Sequence, residues 1–117
     1  MSLLSREKGK VGEREAAAEI SRLFNVQARR GQQYCGGPGS PDVVGLPGVH
    51  VEVKRAEKQR FYDWIEQAVA DSMVINGESN VPLVVHRTNG REWLAVVRLD
   101  DLPRLATKLY LTLAGTA

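Results

Sequence analysis

Apolar residues recur every three to four positions in three segments of the chain, a spacing that is typical of helices packed on a core. The predicted helices are residues 11–24, 61–76 and 100–113. The first is expected to end near Asn25 and the second at Gly77, which suits a left-handed cap. The third is expected to begin with Asp100 or Asp101 as its cap and with Pro103 in its first turn.

Five other segments are rich in β-branched residues and are bounded by Gly, Pro or Asn, as strands are. The predicted strands are residues 25–30, 42–46, 49–55, 82–88 and 91–99. Pro47 and Gly48 mark the second connection, and Asn89-Gly90 predicts a two-residue hairpin turn between the last two strands. We therefore expect an α/β fold in which helices flank a central mixed five-stranded sheet, in the order α-β-β-β-α-β-β-α.

Length and composition fit one globular domain over residues 1–117, with 43% hydrophobic and 26% charged residues. No run of residues is long and apolar enough to cross a membrane, and the start lacks the apolar core of a secretory signal, so a cytoplasmic location is expected. Cys35 is the only cysteine. An internal disulfide is therefore excluded, and any metal must be held by oxygen or imidazole ligands.

Positive charge is concentrated in the first half of the chain. Residues 1–60 hold 11 Lys and Arg against 7 Asp and Glu, whereas residues 61–117 hold 5 against 7. A basic surface attracts polyanions such as nucleic acid, although many solvated faces are equally basic. The charge pattern alone therefore leaves nucleic-acid binding open.

Two acidic residues are predicted to meet on neighbouring strands. If a three-residue turn joins residues 42–45 to residues 49–55, paired positions sum to 94 and Asp42 lies opposite Glu52. Alternation along the strand places Lys54 on the same face as Glu52. Opposed acids destabilise a sheet, so this arrangement calls for a cation, either Lys54 or a divalent metal. The alternative is a solvated strand face.

Glu13 ends the core-facing stripe of the first predicted helix. A buried carboxylate without a partner is costly, so Glu13 is expected either to reach solvent or to point into a polar site. Its place in the first turn of the predicted helix also suits the helix dipole.

Pro41-Asp42, nine intervening positions and Glu52-Val53-Lys54 together resemble the signature of the PD-(D/E)xK nuclease superfamily. Within it, KGKVGEREAAAEI, GGPGSPDVVGL and VEVKRAEK are similar to archaeal-type Holliday junction resolvases, which are also found in phages. The resemblance is densest from Lys8 to Lys58. It implies a restriction-endonuclease-like core and a homodimeric endonuclease that nicks branched or duplex DNA.

The resemblance also implies roles for individual residues. The positions that match the catalytic set are Glu13, Ser40, Asp42, Glu52 and Lys54. The implied ligands of Mg²⁺, with Mn²⁺ as a substitute, are Glu13, Asp42, Glu52 and the backbone carbonyl of Val53. Lys54 would assist the attack of a metal-activated water on the phosphodiester. Ser40 would touch the scissile phosphate, or is a simple turn residue.

Basic residues flank the motif and could grip phosphates of the duplex arms. They are Lys8, Lys10, Arg14, Arg29, Arg30, Arg55, Lys58 and Arg60. Each of them taken alone is better explained as a surface cation, and it is the group that indicates phosphate contacts. Gln67 resembles a glutamine that many superfamily members carry near the site, and a solvated helix position is its alternative. His50 shares the face of Glu52, where a structural role is favoured over metal binding.

Three functions are compatible with the sequence. The first is a junction resolvase that makes paired nicks. The second is a nuclease of the same chemistry acting on flaps, replication intermediates or plain duplex DNA. The third is a non-catalytic DNA-binding module, which has no need of opposed acids.

Overall fold

The computed structural model describes residues 3–31, 40–73 and 80–116, with side chains from residue 9 onward. The predicted element order is confirmed, with a short 3-10 helix added at Leu99–Asp101. The helices and strands are α1 (Leu3–Phe24), β1 (Arg29–Arg30), β2 (Val43–Val44), β3 (Val49–Arg55), α2 (Phe61–Asp71), β4 (Val81–Arg87), β5 (Leu94–Val96) and α3 (Leu102–Leu113). None of the helices in these ranges has the length and apolar character needed to cross a bilayer.

The five strands form one mixed sheet, as predicted, in the spatial order β1-β2-β3-β4-β5. The pair β3–β4 is parallel, and the other three pairs are antiparallel. A parallel pair needs a crossover connection, which α2 provides. The two central strands are the longest, and residues 49–52 and 81–84 are buried on both faces.

The helices cover both faces of the sheet. On one face, Ala16 and Ile20 of α1 and Leu105 of α3 pack in one cluster with Val49 and Val51. The opposite face carries a smaller cluster made by Trp64, Ala68 and Val84. Because successive side chains of a strand point to opposite faces, β4 contributes Leu83 to the first cluster and Val84 to the second. The fold is a three-layer α/β arrangement with β3 at its centre.

The connection between β2 and β3 has the predicted register. Val43 pairs with Val51, a position sum of 94. Gly45 and Gly48 have φ of 107° and 76°, conformations that favour glycine. The strands β1 and β2 are only two residues long each, shorter than the predicted 25–30 and 42–46.

The C-terminal end of α1 follows from local sequence, whereas its start does not. The helix ends at Phe24, and Asn25 adopts φ 54°, the left-handed conformation of a common helix stop. It begins at Leu3 rather than at residue 11. Residues 3–10 are mostly polar and include Gly9, so they carry no apolar stripe that could have predicted the extra turns.

The predicted end of α2 was wrong. The helix stops at Asp71, where Ser72 donates its backbone N–H to the carbonyl of Ala68 and its hydroxyl to that of Val69. Apolar residues continue past this point, which is why a longer helix was predicted. Gly77 lies outside the described residues.

The predicted two-residue hairpin turn was also wrong. Val84 pairs with Val96 and His86 with Leu94, so paired positions sum to 180, one more than a two-residue loop at residues 89 and 90 requires. A type I′ turn needs positive φ at both central residues, and only Gly90 has it, at 75°. The strand β5 is correspondingly short.

The start of α3 differs in one detail. Pro103 lies in the first turn, as predicted, and Asp101 occupies the capping position. Its carboxylate makes no capping bond and instead accepts from Nε of Arg98 at 2.7 Å. An ion pair has replaced the predicted cap.

Candidate active site

The carboxyl groups of Asp42 and Glu52 face each other across β2 and β3, where the charge of Glu52 and a side-chain hydrogen bond from it both raise the pKa of Asp42. Asp42 immediately precedes β2, and its N–H donates to the carbonyl of Val51 at 2.9 Å. Its Oδ2 accepts from the N–H of Val53 at 2.8 Å. The register of β2 and β3 therefore brings the two acids together, as the sequence predicted.

Asp42 ionises with difficulty in this position. Burial is the main reason that its pKa is raised from 3.8 to about 7, and the adjacent Glu52 raises the pKa further. The hydrogen bond from the N–H of Val53 and the charge of Lys54 oppose this rise. A hydrogen bond between two carboxyl groups requires one proton, so ionisation of Asp42 leaves two opposed charges that a cation would balance.

Glu13 approaches Asp42 from α1, close enough for the two charges to interact. Its side chain is 16% exposed, and its Oε1 accepts from Nε of Arg30 at 2.7 Å. Burial raises the pKa of Glu13, the charge of Asp42 raises it further, and Arg30 opposes the rise. The side chain of Glu13 is thus partly buried and paired with Arg30, rather than directed into solvent.

Lys54 and Gln67 meet beside the acids. Nζ of Lys54 donates to Oε1 of Gln67 at 3.0 Å, which joins β3 to α2. Gln67 is exposed to solvent. Its hydrogen bond nevertheless orients the ammonium group of Lys54. The positive charge lies close enough to Asp42 to lower its pKa.

The carbonyl of Val53 points toward Asp42. The N–H and C=O of one strand residue lie on the same side of the strand, and the N–H of Val53 faces the Asp42 carboxylate. The next carbonyl, that of Lys54, points the other way and accepts from Nδ1 of His86 at 2.9 Å. His86 is buried against the ring of Trp64, with ring centroids 4.7 Å apart, and so anchors the end of β3.

Taken together, these groups form an oxygen-rich site with one lysine at its edge. Glu13, Asp42 and Glu52 supply carboxylates, and a backbone carbonyl faces the same space. Hard divalent cations such as Mg²⁺ prefer these donors. Burial is the main reason that the pKa values of Glu13 and Asp42 are raised, and a neighbouring acid raises each of them further. These donor types suit a divalent cation, while among the described residues the carboxylates and imidazoles that lie within 4.8 Å of one another are those of His50, Glu52 and Asp71.

A second group of possible metal ligands shares Glu52. One ligand atom each from His50, Glu52 and Asp71 lies within 4.8 Å of the others. Nε2 of His50 is hydrogen-bonded to Oε1 of Glu52 at 2.8 Å. The sequence predicted a structural role for His50 and gave no sign of Asp71. Only the return of α2 across the sheet brings its last residue to the start of β3.

The predicted DNA-contacting residues differ in how exposed they are. Arg14, Arg29, Lys58 and Arg60 are exposed, Lys10 is half-buried, and the side chain of Lys8 lies outside the described part. Ser40 is half-buried directly before Pro41. Arg30 is bound to Glu13.

Arg55 is committed to contacts within the protein. Its guanidinium donates to Glu15 at 3.0 Å and to Asn89 at 2.6 Å, and its side chain is only 13% exposed. Glu15 also accepts from Arg87 at 3.1 Å. This network holds α1 against the ends of β3 and β4. Its acceptor, Glu15, lies two residues after Glu13 in the same helix. The guanidinium of Arg55 is therefore engaged within the protein, and Arg55 is not counted among the proposed DNA contacts.

The chain matches no protein-family model, no curated protein and no solved structure. Its function is therefore inferred from the geometry of the site and from the residue pattern that carries the nuclease resemblance.

Proposed function

We propose that the protein is a metal-dependent DNA endonuclease that hydrolyses phosphodiester bonds. The observation that carries this proposal is the pairing of Asp42 with Glu52 across β2 and β3, with Glu13 of α1 close enough for the charge of Asp42 to raise its pKa. Grouping partly buried acids costs stability, so a fold without chemistry gains nothing from it. A divalent cation offsets that cost when it binds.

Each group has a part in the proposed reaction. The carboxylates of Glu13, Asp42 and Glu52 and the carbonyl of Val53 hold Mg²⁺, with Mn²⁺ as a substitute. When bound, the ion would supply Lewis acidity, which lowers the pKa of a coordinated water and offsets charge on the phosphate. Lys54, oriented by Gln67, positions the attacking water or stabilises the charge that develops on the phosphate.

The proposed substrate is a four-way DNA junction, and the proposed assembly is a homodimer. Two-fold symmetry would present two metal sites to two equivalent strands. The exposed Arg14, Arg29, Lys58 and Arg60 are the proposed phosphate contacts, which makes binding strongly dependent on salt. The resemblance to junction resolvases supports this substrate, while the site chemistry equally suits other DNA.

A junction-cleavage assay tests the proposed function. A labelled synthetic four-way junction is incubated with wild type or Asp42→Ala, in Mg²⁺ or in EDTA, beside a linear duplex of the same sequence. Paired, symmetric nicks are expected only for wild type in Mg²⁺, with slower cleavage of the duplex. Equal rates on both substrates would reject the resolvase assignment. Tight binding without cleavage under any condition would favour the DNA-binding module.

Lys54→Met is expected to slow cleavage by about 100-fold while leaving junction binding nearly unchanged. The variant keeps most of the aliphatic stem and removes the charge beside Asp42. Lys108→Met, at an exposed position of α3, is the matched control and should cleave like wild type. Single-turnover cleavage rates and gel-shift affinities separate the two effects. Equal rates for both variants would remove Lys54 from the proposed mechanism.

A further inference from the structure

The cluster of His50, Glu52 and Asp71 differs in donor type from the oxygen-rich site beside it. Its ligand atoms come from the first half of β3 and from the last residue of α2. They lie within 4.8 Å of one another, and one of them is an imidazole nitrogen. Imidazole with carboxylates is a ligand set that suits Zn²⁺ and similar transition ions, whereas Mg²⁺ prefers oxygen alone.

Burial supports a site at this cluster. His50 and Glu52 are each only 3% exposed. Asp71 is half-buried and makes no hydrogen bond or ion pair with the residues that the structure describes. A carboxylate left unpaired next to a buried His–Glu pair has an acceptor available for a cation.

The distances are compatible with small adjustments around one ion. Zn²⁺ binds nitrogen and carboxylate oxygen at about 2.0–2.2 Å, so tetrahedral ligand atoms lie roughly 3.4 Å apart. Nε2 of His50 and Oε1 of Glu52 are at 2.8 Å and must separate slightly. The ligand atom of Asp71 lies within 4.8 Å of the other two, a distance that a change of its rotamer can adjust. Both adjustments are small. Asp71 is the final residue of α2, where the helix constrains a side chain least.

We infer that His50, Glu52 and Asp71 form a second metal site, which takes a transition ion of the Zn²⁺ class. The site is distinct from the one proposed for Mg²⁺, although the two share Glu52. A carboxylate engaged by Zn²⁺ is less available to the neighbouring site. If the proposed nuclease function holds, Zn²⁺ therefore inhibits Mg²⁺-supported cleavage by drawing Glu52 away from Asp42.

Zinc titration of the folded protein tests the site without any DNA. Zn²⁺ alone is titrated by calorimetry into wild type, Asp71→Asn, His50→Gln and Asp42→Asn. Asp71→Asn and His50→Gln should each weaken binding by at least about 10-fold. Asp42→Asn should retain it. Asp63→Asn, which changes an exposed acid in the first turn of the same helix, is the matched control and should bind like wild type.

The outcomes separate this site from the proposed nuclease. Unchanged Zn²⁺ affinity in Asp71→Asn and His50→Gln would overturn the second site, as would loss of affinity in Asp42→Asn alone. In the cleavage assay, Asp71→Asn should keep Mg²⁺-supported activity and resist added Zn²⁺. If wild type cleaves no DNA but the zinc titrations behave as expected, the nuclease proposal fails and the second site stands. The amide of Gln in His50→Gln can still donate a hydrogen bond to Glu52, so this variant should fold. Circular dichroism checks that each variant is folded before it is titrated.

Discussion

Asp42→Asn should remove metal-dependent cleavage, by about 1,000-fold or more, and also make the metal-free protein more stable at neutral pH. The substitution takes away a proposed metal ligand without changing the size of the side chain. Its amide oxygen can still accept from the N–H of Val53, and its amide nitrogen can donate to Glu52. The hydrogen bonds survive, and only the charge is lost.

The gain in stability follows from the raised pKa. Asp42 has a pKa of about 7 in the folded protein and 3.8 as a model group, so the folded state binds more protons between these values. Wild type therefore loses stability as the pH rises from about 4 to 7, and the loss is complete above 7. Asn does not titrate and avoids this loss. Without metal at pH 8, we expect Asp42→Asn to raise the free energy of unfolding by about 2 kcal/mol.

Thermal unfolding in EDTA measures this difference. The variant should melt about 8 °C above wild type at pH 8. The gap should shrink as the pH falls from 7 toward 4. Added Mg²⁺ should raise the melting temperature of wild type but not that of the variant, and this effect should strengthen as the pH rises through 7. Equal melting temperatures at pH 8 would mean that Asp42 is not held in a destabilising environment.

Gly31→Ala should destabilise the protein by about 3 kcal/mol and displace Asp42. Gly31 is buried, and its N–H donates to the carbonyl of Asp42 at 2.8 Å. A Cβ added there would overlap the carbonyl oxygen of Pro41. The Pro41-Asp42 segment would have to move, and a shift of about 1 Å at a catalytic group can cost roughly 100-fold in rate.

Gly9→Ala is the matched control for this substitution. Gly9 lies on the exposed side of α1, and an added Cβ meets nothing within 4 Å. Because Ala favours helix over Gly, the control should gain up to about 1 kcal/mol. Urea unfolding and Mg²⁺-dependent cleavage are measured for both variants. A Gly31→Ala protein as stable as wild type would show that the Pro41 carbonyl can yield without cost.

The parts of the fold that the sequence could predict are those in which apolar and polar residues alternate with a regular period. The strand β3 was predicted with its observed limits, residues 49–55, because Val49, Val51 and Val53 alternate with polar residues. The register with β2 followed from the length of one turn. Together these two features were enough to bring Asp42 and Glu52 face to face.

The remaining features depend on contacts that have no local signature. The end of α2 at Asp71 and the register at Gly90 are set by packing and turn geometry that apolar periodicity does not report. Asp71 joins His50 only because a crossover helix returns over the sheet. Arg55 looked like a surface cation, and its pairing with Glu15 spans 40 residues of sequence.

The two-residue ladder between β1 and β2 has a consequence for how the proposed site keeps its shape. So short an edge can open locally at a small free-energy cost, while β3 and β4 stay protected in the centre. Asp42 adjoins that edge, whereas Glu52 and Lys54 lie on the protected strand. A cation bound to both Asp42 and Glu52 would therefore link the part of the sheet that opens most readily to the part that opens least, and would make local opening at the edge more costly.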